Sequence, residues 1–395
     1  MYDASGLLYK HPYNDRFVDE LTITSEQDRM LRDARKKVRA AIRAAFTEAR
    51  KYLSEEVPEV DVEIISRIKP KFLTQGSYAY KTLNAPCHSC QEIDLDDGVY
   101  LPMSFINQEP SKNMEWFFLI VDGALKALAK QEGWGFTKEK TTCSRVILPG
   151  SAHIDVPLYA IPDERHVEMM EAEEFCKALN RENMSAILFS DNMAVAKQAL
   201  LDENDIYLAD REAGWRKSDP MSIAMWFKQE IAIRGNGSGQ RLRRICRFLK
   251  GWRDFFWEKG GPSSLTLMVC AVEAYPDDDQ GRDDYALLKV VEELPGKLSG
   301  SIFNQAFPYE LIYPRGDMGQ EEIAAKASQL RSSLRSALSG SLDKTGVVRS
   351  FSGKFGDRIP SNPDYVAEIL APATIVRNTP ARDIKPEPIP NTKAG

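Results

Sequence analysis

The sequence predicts a mixed α/β domain followed by a second, mainly helical domain, with a long helix near the N-terminus. Three observations lead there. The chain has 395 residues, more than one hydrophobic core usually accommodates, so two domains with appendages are expected. Between Val57 and about Tyr159, short β-like runs interleave with a helix, the pattern of a mixed α/β unit. Beyond about residue 165 the apolar residues recur at helical spacing.

The elements follow in order. The first helix spans Ser25 to about Leu53, with Ser25 as N-cap and Asp28 three residues on, a capping-box arrangement. Leu31, Ala34, Val38, Ile42, Ala45, Ala49 and Tyr52 line one face of it, while Arg and Lys fill the other. Phe72–Thr74 is a strand leading into Gly76-Ser77, and Ile93–Met103 is the next. A helix from about Met114 to Gln131 follows. Val146–Leu148 pairs with Ile154–Tyr159 across a Pro149-Gly150-Ser151 turn. Later helices are expected at His166–Leu179, Met193–Leu201, Pro220–Ile233, Gln240–Trp257, Ser264–Tyr275 and Glu321–Leu338. From Pro372 to Gly395 five prolines and few apolar residues describe a flexible tail. The expected boundaries are residues 1–210 for the α/β core with its N-terminal helix, 211–365 for the helical domain and 366–395 for the tail.

Composition limits the function. Fifty-two basic against 58 acidic residues give a net charge of −6, which argues against a protein that coats duplex nucleic acid. One local basic cluster would still suffice for a small phosphorylated ligand. The N-terminus lacks the basic and apolar regions of a secretory signal, and no run approaches the roughly 18 apolar residues of a membrane span. Six scattered cysteines suit reduced thiols in a cytoplasm rather than a disulfide scaffold. Cys87-x-x-Cys90 has zinc-binding spacing, but no second such pair completes four ligands.

The sharpest constellation is QGSYAY at 75–80 followed by EIDLDDG at 92–98. Residues two apart on a strand share a face. Asp94 and Asp96 therefore project together while Ile93 and Leu95 face the core, and Asp155 in HIDVPLY could approach from the neighbouring hairpin. Paired carboxylates repel unless a cation sits between them, and oxygen ligands shared with substrate phosphates suit Mg²⁺. Three carboxylates match a two-metal site. An acidic triplet before glycine also reads as a solvated turn; the Gly76-Ser77 turn upstream, whose amides could hold a triphosphate, favours the site. His153, beside Asp155, reads as a packing or hydrogen-bonding residue. Farther on, Arg241, Arg243, Arg244, Arg247, Lys250 and Arg253 place six positive charges in thirteen residues. Leu242, Ile245, Leu249, Trp252 and Phe256 form the apolar stripe of that helix and leave Arg243, Arg247 and Lys250 on another face. Phosphate capture is one use of it, and a merely solvated basic face is the other reading.

QGSYAYKTLN, EIDLDDGVYLPM, HIDVPLYAIP, SDP at 218–220, RFLKGWRD at 247–254 and GGPSS at 260–264 together resemble the bacterial cGAS/DncV-like nucleotidyltransferases, or CD-NTases. The likeness covers roughly residues 70–265 and is strongest to the cyclases that make 3′,3′-linked cyclic GMP-AMP; no counterpart is legible for residues 300–360. It implies a polymerase-β-like nucleotidyltransferase core joined to a helical domain, with ATP, GTP or other nucleoside triphosphates in the cleft between. It implies that Asp94, Asp96 and Asp155 hold two Mg²⁺ ions. Gln75, Gly76, Ser77, Tyr78 and Tyr80 match the nucleotide-gripping segment, and Arg145, Ser218, Lys250 and Ser264 match nucleotide contacts. The resemblance further implies a second messenger that activates an effector in anti-phage defence. An E1–E2-like ligase would act on the C-terminal Gly395. The alternatives are a template-independent transferase with linear products, or a catalytically silent protein conjugated through its tail.

Overall fold

The computed structural model describes residues 1–9, 15–56, 68–105, 110–178, 206–314, 319–339 and 342–369. The helix expected at 193–201 and the tail with Gly395 lie outside them.

Three short elements, β1 (Tyr2–Asp3), α1 (Ser5–Leu8) and α2 (Phe17–Glu20), precede the long helix α3 (Ser25–Glu56). The cap of α3 is Thr24 and not Ser25. Thr24 Oγ1 accepts from the Gln27 amide at 3.1 Å, and Gln27 Oε1 accepts from the Thr24 amide at 2.8 Å. That reciprocal pair closes the capping box one residue early, which leaves Asp28 to accept the Tyr78 hydroxyl at 2.6 Å.

The α/β part comprises β2 (Lys71–Gln75), α4 (Gly76–Ala79), β3 (Ile93–Pro102), α5 (Pro110–Glu132), β4 (Gly135–Thr137), β5 (Cys143–Leu148), β6 (Ala152–Ile161), α6 (Asp163–Ala178), β7 (Tyr207–Asp210) and β8 (Gly214–Lys217). The strands form one mixed sheet in the order β2-β3-β6-β5-β4, with β7 on the far end of β6 and β8 outside it. Among the described strands, β3–β6 is the one neighbouring pair that runs parallel. The expected hairpin is present: β5 and β6 pair across residues 149–151. Ile93, Leu95, Ile154 and Val156 turn to a core shared with Leu31, Val38 and Ile42 of α3 and Phe117, Val121 and Leu125 of α5. Strand alternation sends the opposite positions of β3 and β6 to the other face.

The helical part comprises α7 (Pro220–Ile233), α8 (Gly235–Phe256), α9 (Ser264–Glu273), α10 (Asp283–Leu298), β9 (Ile302–Phe303), β10 (Leu311–Tyr313), α11 (Gln320–Ser339), α12 (Lys344–Phe355) and β11 (Ala367–Glu368). Asp219 caps α7, accepting from the amides of Met221 and Ser222, with Pro220 in the first turn. Leu242, Ile245, Leu249 and Trp252 make α8 the centre of this second core. Leu7, Leu8, Phe17 and Leu21 from the chain's start pack into it as well. Phe17 stacks on Phe248 with centroids 5.5 Å apart and meets Phe355 at 5.0 Å. A Cβ on Gly251 would fall 2.7 Å from the Phe17 ring, so α8 needs glycine for that approach. Helices α10 and α12 are additions to the sequence reading. Pro295 in the last turn interrupts the pattern of α10, and α12 buries only Val347, Val348, Phe351 and Phe355.

Asp97 corrects the reading of the 94–97 run as a possible solvated turn: the whole run lies in β3. Alternation turns Asp97 away from Asp94 and Asp96 and under α3, where it is 1% exposed. Arg39 binds it through two N–H groups at 2.6 and 2.5 Å, and Thr74 Oγ1 donates at 2.8 Å. Removing one partner strands a buried charge, so Asp97→Ala should cost about 3 kcal/mol of stability, measured by denaturant unfolding. A loss of only a few tenths would show that the pair contributes little.

Candidate active site

The cleft begins where β2 ends. The chain turns at Gly76, at φ +66°, into the single turn of α4. Asp96 of β3 lies opposite Gln75 in register, and a Cβ on Gly76 would sit 2.1 Å from Asp96 Oδ2. Glycine is therefore required by both the left-handed backbone and the nearness of the carboxylate.

Across the parallel pair, Asp94 stands beside His153 and Asp96 beside Asp155; across β5–β6, Arg145 stands beside Asp155. Partners in register share a face, so three carboxylates, one imidazole and one guanidinium gather on the face opposite the core. Asp94, His153 and Asp155 each offer a ligand atom, all within 4.8 Å of one another, and among the described residues no other group of His, Cys, Asp or Glu does so. Asp94 Oδ1 is buried without a hydrogen-bond partner, and it lies 2.9 Å from His153 Nε2 without hydrogen-bond alignment. His153 Nδ1 is held by Glu92 at 2.8 Å. Burial, and then the charges of Asp94 and Asp155, push the Asp96 carboxyl well above the ordinary carboxylate value. Burial acts the same way on Asp155, but Arg145 and Lys140 prevail and hold it below that value. Arg145 Nε and Nη2 donate to it at 2.5 and 2.8 Å, and Lys140 Nζ at 2.7 Å. An orphaned carboxylate oxygen and mutually repelling carboxyls suit a hard divalent cation, so the residues present fit a metal.

Helices α8 and α9 supply the facing wall. Ser77, Asn84, Glu92, Asp94, Lys140, Arg145, His153, Lys250, Arg253 and Ser264 line a cleft of about 450 Å³. Ser77, Asp94 and Ser264 also border an adjoining lobe of about 250 Å³ that continues over Tyr80, Asp96, Ile223, Leu265 and Met268. The first lobe carries four cations, Lys140, Arg145, Lys250 and Arg253, beside four carboxylates, Glu92, Asp94, Asp254 and Glu258, and the second is largely apolar. A larger groove, about 690 Å³, runs over Leu119 and Phe136 beside Asp122, Lys126, Lys138 and Glu139, and none of Asp94, Asp96 and Asp155 lines it. Ser263 caps α9 by accepting from the Thr266 amide at 3.0 Å, leaving Ser264 Oγ to accept from Arg253 at 3.1 Å. Lys250 is 5% exposed and donates to the Thr82 carbonyl at 2.8 Å. Burial first, and then Arg253, lower its pKa to about 8.

The sign of that shift gives a prediction. Below about pH 8 the ammonium is charged in both folded and unfolded chains and its burial penalty is complete. Between about 8 and the ordinary 10.5 the folded state alone is neutral, and the penalty fades. Wild type should therefore gain stability relative to Lys250→Met from pH 7 to 10.5, by on the order of 3 kcal/mol. Parallel unfolding curves at the two pH values would refute it.

Of the residues expected from sequence, Asp94, Asp96, Gly76, Ser77, Tyr80, Arg145, Lys250 and Ser264 line this cleft, and Asp155, 3% exposed, lies beneath it with a carboxylate oxygen within 4.8 Å of Asp94. Gln75, Tyr78 and Ser218 do not line it. Gln75 donates to Tyr159 Oη at 2.9 Å and accepts from Tyr100 Oη at 3.0 Å, locking a stacked tyrosine pair. Tyr78 points to α3. Ser218 donates its amide to the Ile206 carbonyl, ahead of the α7 cap. The alternation that singled out Asp94 and Asp96 also places His153 with Asp155, so its membership was readable. Lys140 belongs to no motif; Glu92 opens EIDLDDG and Arg253 lies in RFLKGWRD, but neither was given a site role of its own. Cys90 Sγ faces Glu258, Cys143 is buried in β5, and neither joins a three-ligand group among the described residues.

A family model for the cyclic GMP-AMP synthase DncV-like nucleotidyltransferase domain matches residues 70–159, the segment that carries all three carboxylates. A second, for the cyclic GMP-AMP synthase C-terminal domain, matches residues 239–368. Cyclic GMP-AMP synthase of Vibrio cholerae is 30% identical, with 96% of each chain covered. The chain belongs to the DncV-like nucleotidyltransferase family. An Escherichia coli cyclic GMP-AMP synthase is 32% identical over 82% of this chain and 76% of its own. Among solved structures, Vibrio cholerae DncV with the linear intermediate 5′ pppA(3′,5′)pG superposes with a TM-score of 0.76 at 27% identity, covering 94% of this chain and 99% of that one. DncV with GTP and 5MTHFGLU2 gives the same TM-score and identity over 93% and 100%. The fold is the polymerase-β-like core with a helical partner, and the enzyme is a nucleotidyltransferase. Residues 300–360, where motifs showed no counterpart, lie within the C-terminal match. Among the described residues no helix of this nucleotidyltransferase is long and apolar enough to cross a membrane.

Proposed function

We propose that the chain is a Mg²⁺-dependent cyclic oligonucleotide synthase that joins ATP and GTP into 3′,3′-cyclic GMP-AMP or a related ring. The carrying observation is the facing arrangement of Asp94, Asp96 and Asp155 on the sheet with Lys250, Arg253 and Ser264 on the helices, in a family whose named relatives make cyclic GMP-AMP. Asp94, Asp96 and Asp155 would hold two Mg²⁺ ions, which when bound neutralise phosphate charge and favour the 3′-hydroxyl as nucleophile. Arg145, Lys250 and Arg253 supply the positive charge that a triphosphate needs in this cleft. Ser77 and Ser264, shared by both lobes, fix where the phosphates lie. The apolar surface of Tyr80, Ile223, Leu265 and Met268 suits the face of a base. Each round forms a 3′-oxygen–phosphorus bond at an α-phosphate and expels pyrophosphate; a second round in the same cleft closes the ring. Positioning and charge neutralisation are the main contributions of the protein.

The test is incubation with the four ribonucleoside triphosphates and Mg²⁺, phosphatase treatment and mass spectrometry. A phosphatase-resistant cyclic di- or trinucleotide is expected; products that phosphatase strips of terminal phosphates would mark a linear-product transferase. The family resemblance extends the proposal to a bacterial, cytoplasmic second messenger that activates an anti-phage effector, and to conjugation of Gly395 by an E1–E2-like ligase. Deleting Gly395 should abolish conjugation in the presence of that ligase and leave synthesis unchanged.

A further inference from the structure

Lys140 lies in the turn between β4 and β5, and its side chain is 53% exposed. Its ammonium is nonetheless fixed 2.7 Å from Asp155 Oδ2. Arg145 Nη2 reaches the same oxygen at 2.8 Å, while Arg145 Nε takes Oδ1 at 2.5 Å. A carboxylate oxygen has about two lone-pair directions. Both of those on Oδ2 are therefore occupied by N–H donors, whereas Oδ1 keeps one open, with His153 Nε2 3.8 Å away. Asp155 cannot offer Oδ2 to a cation until one donor leaves, and a nearby ammonium repels any cation that approaches.

The two donors differ in how easily they leave. Arg145 is 19% exposed and grips both oxygens with a planar fork. Lys140 makes one point contact at the end of a flexible, solvent-exposed stem. It also borders the same cleft as Lys250 and Arg253, where a polyphosphate would lie. Building on the metal-site reading above, we propose that Lys140 is an exchangeable counter-ion. It neutralises Asp155 in the empty cleft and moves to the triphosphate when Asp155 takes up a divalent cation. Charge is conserved in the exchange, because the ammonium released from one anion is received by another. Cation and nucleotide binding then become coupled: the cation alone must displace Lys140 into water, and with nucleotide present the phosphates receive it. Coupling is reciprocal, so each ligand tightens the other.

The test uses the full chain and Mn²⁺ as probe, followed by electron paramagnetic resonance without nucleotide, in wild type, Lys140→Ala, Lys140→Arg and Asp94→Asn/Asp96→Asn. Lys140→Ala should bind Mn²⁺ alone on the order of tenfold tighter, while a non-hydrolysable ATP analogue in Mg²⁺ binds it on the order of tenfold weaker. Lys140→Arg should stay near wild type in both. Opposite signs in one variant separate an exchanging group from a structural one, whose loss would weaken both ligands. Thermal unfolding confirms that each variant is folded. Mn²⁺ binding no tighter in Lys140→Ala than in wild type, including none in either, overturns the exchange. Retention of wild-type Mn²⁺ binding by Asp94→Asn/Asp96→Asn instead overturns the metal-site reading, and the exchange with it.

Discussion

Replacing Asp94 and Asp96 together by alanine is expected to lower nucleotidyl transfer by more than about 10³-fold, because the reaction loses charge neutralisation at the point where pyrophosphate leaves. The folded state should survive. Ile93 and Leu95, on the opposite face, carry the core contacts of this stretch of β3. The empty protein should in fact gain stability. Burial and two neighbouring carboxylates raise the Asp96 pKa, so its ionised form is disfavoured in the folded state. A group shifted upward stabilises below its unfolded value and loses that contribution as pH rises through the folded one, so at neutral pH the carboxylate is a net cost. A thermal midpoint about 2 °C above wild type at pH 7, without metal, is the expected companion of lost activity. Full activity in the double variant would refute the catalytic assignment. Lost activity with a collapsed fold would refute the separation of site from core.

The second large effect is expected from a single added methyl group. In Gly76→Ala the new Cβ would meet Asp96 Oδ2 at 2.1 Å, with a backbone φ of +66° that L-residues adopt at a cost. The left-handed conformation costs about 1–2 kcal/mol. The clash must displace either Asp96 or the start of α4, and misplacement by about 1 Å can cost 10²-fold in rate. Activity should therefore fall by at least about 10²-fold while stability falls by only about 1–2 kcal/mol. Ser77→Ala, which changes neither backbone nor Asp96, should be markedly milder. Equal losses in the two variants would show that the Ser77 hydroxyl, and not the room beside Gly76, is the limiting feature.

How much of the site was legible follows from which interactions are local. Asp94, Asp96 and Asp155 were readable because strand alternation is a property of the backbone. The same rule places His153 on their face and Asp97 behind them under Arg39 of α3. Gln75 and Tyr78 were expected from the resemblance to grip a nucleotide, yet their side chains serve the Tyr100–Tyr159 stack and Asp28. A linear pattern cannot show which way a side chain leaves a turn. Lys140 had no signal at all, since its approach to Asp155 depends on how the β4–β5 turn folds over the sheet.

The fold divides in the same way. Helix α7 was bounded correctly from the sequence, because the Asp219 cap, Pro220 and the apolar spacing all lie within the segment. The cap of α3 was misplaced by one residue, because Ser25 with Asp28 and Thr24 with Gln27 compete for one register and only the second pair closes both hydrogen bonds. Helix α10 escaped notice, and the packing of Phe17 and Leu21 around Gly251 joins segments more than two hundred residues apart. By itself, then, the sequence determined the alternation of strands and helices, the face that carries the carboxylates and the family to which these motifs point. Only the tertiary structure decided that Lys250, Arg253 and Ser264 stand across the cleft from those carboxylates, and that Arg145 and Lys140 neutralise Asp155. The first depends on the docking of α8 on the 82–91 loop, where Lys250 donates to the Thr82 carbonyl and Gln91 to those of Asp254 and Trp257, and the second on how the β4–β5 turn meets β6. No periodicity within a segment encodes a distance between segments.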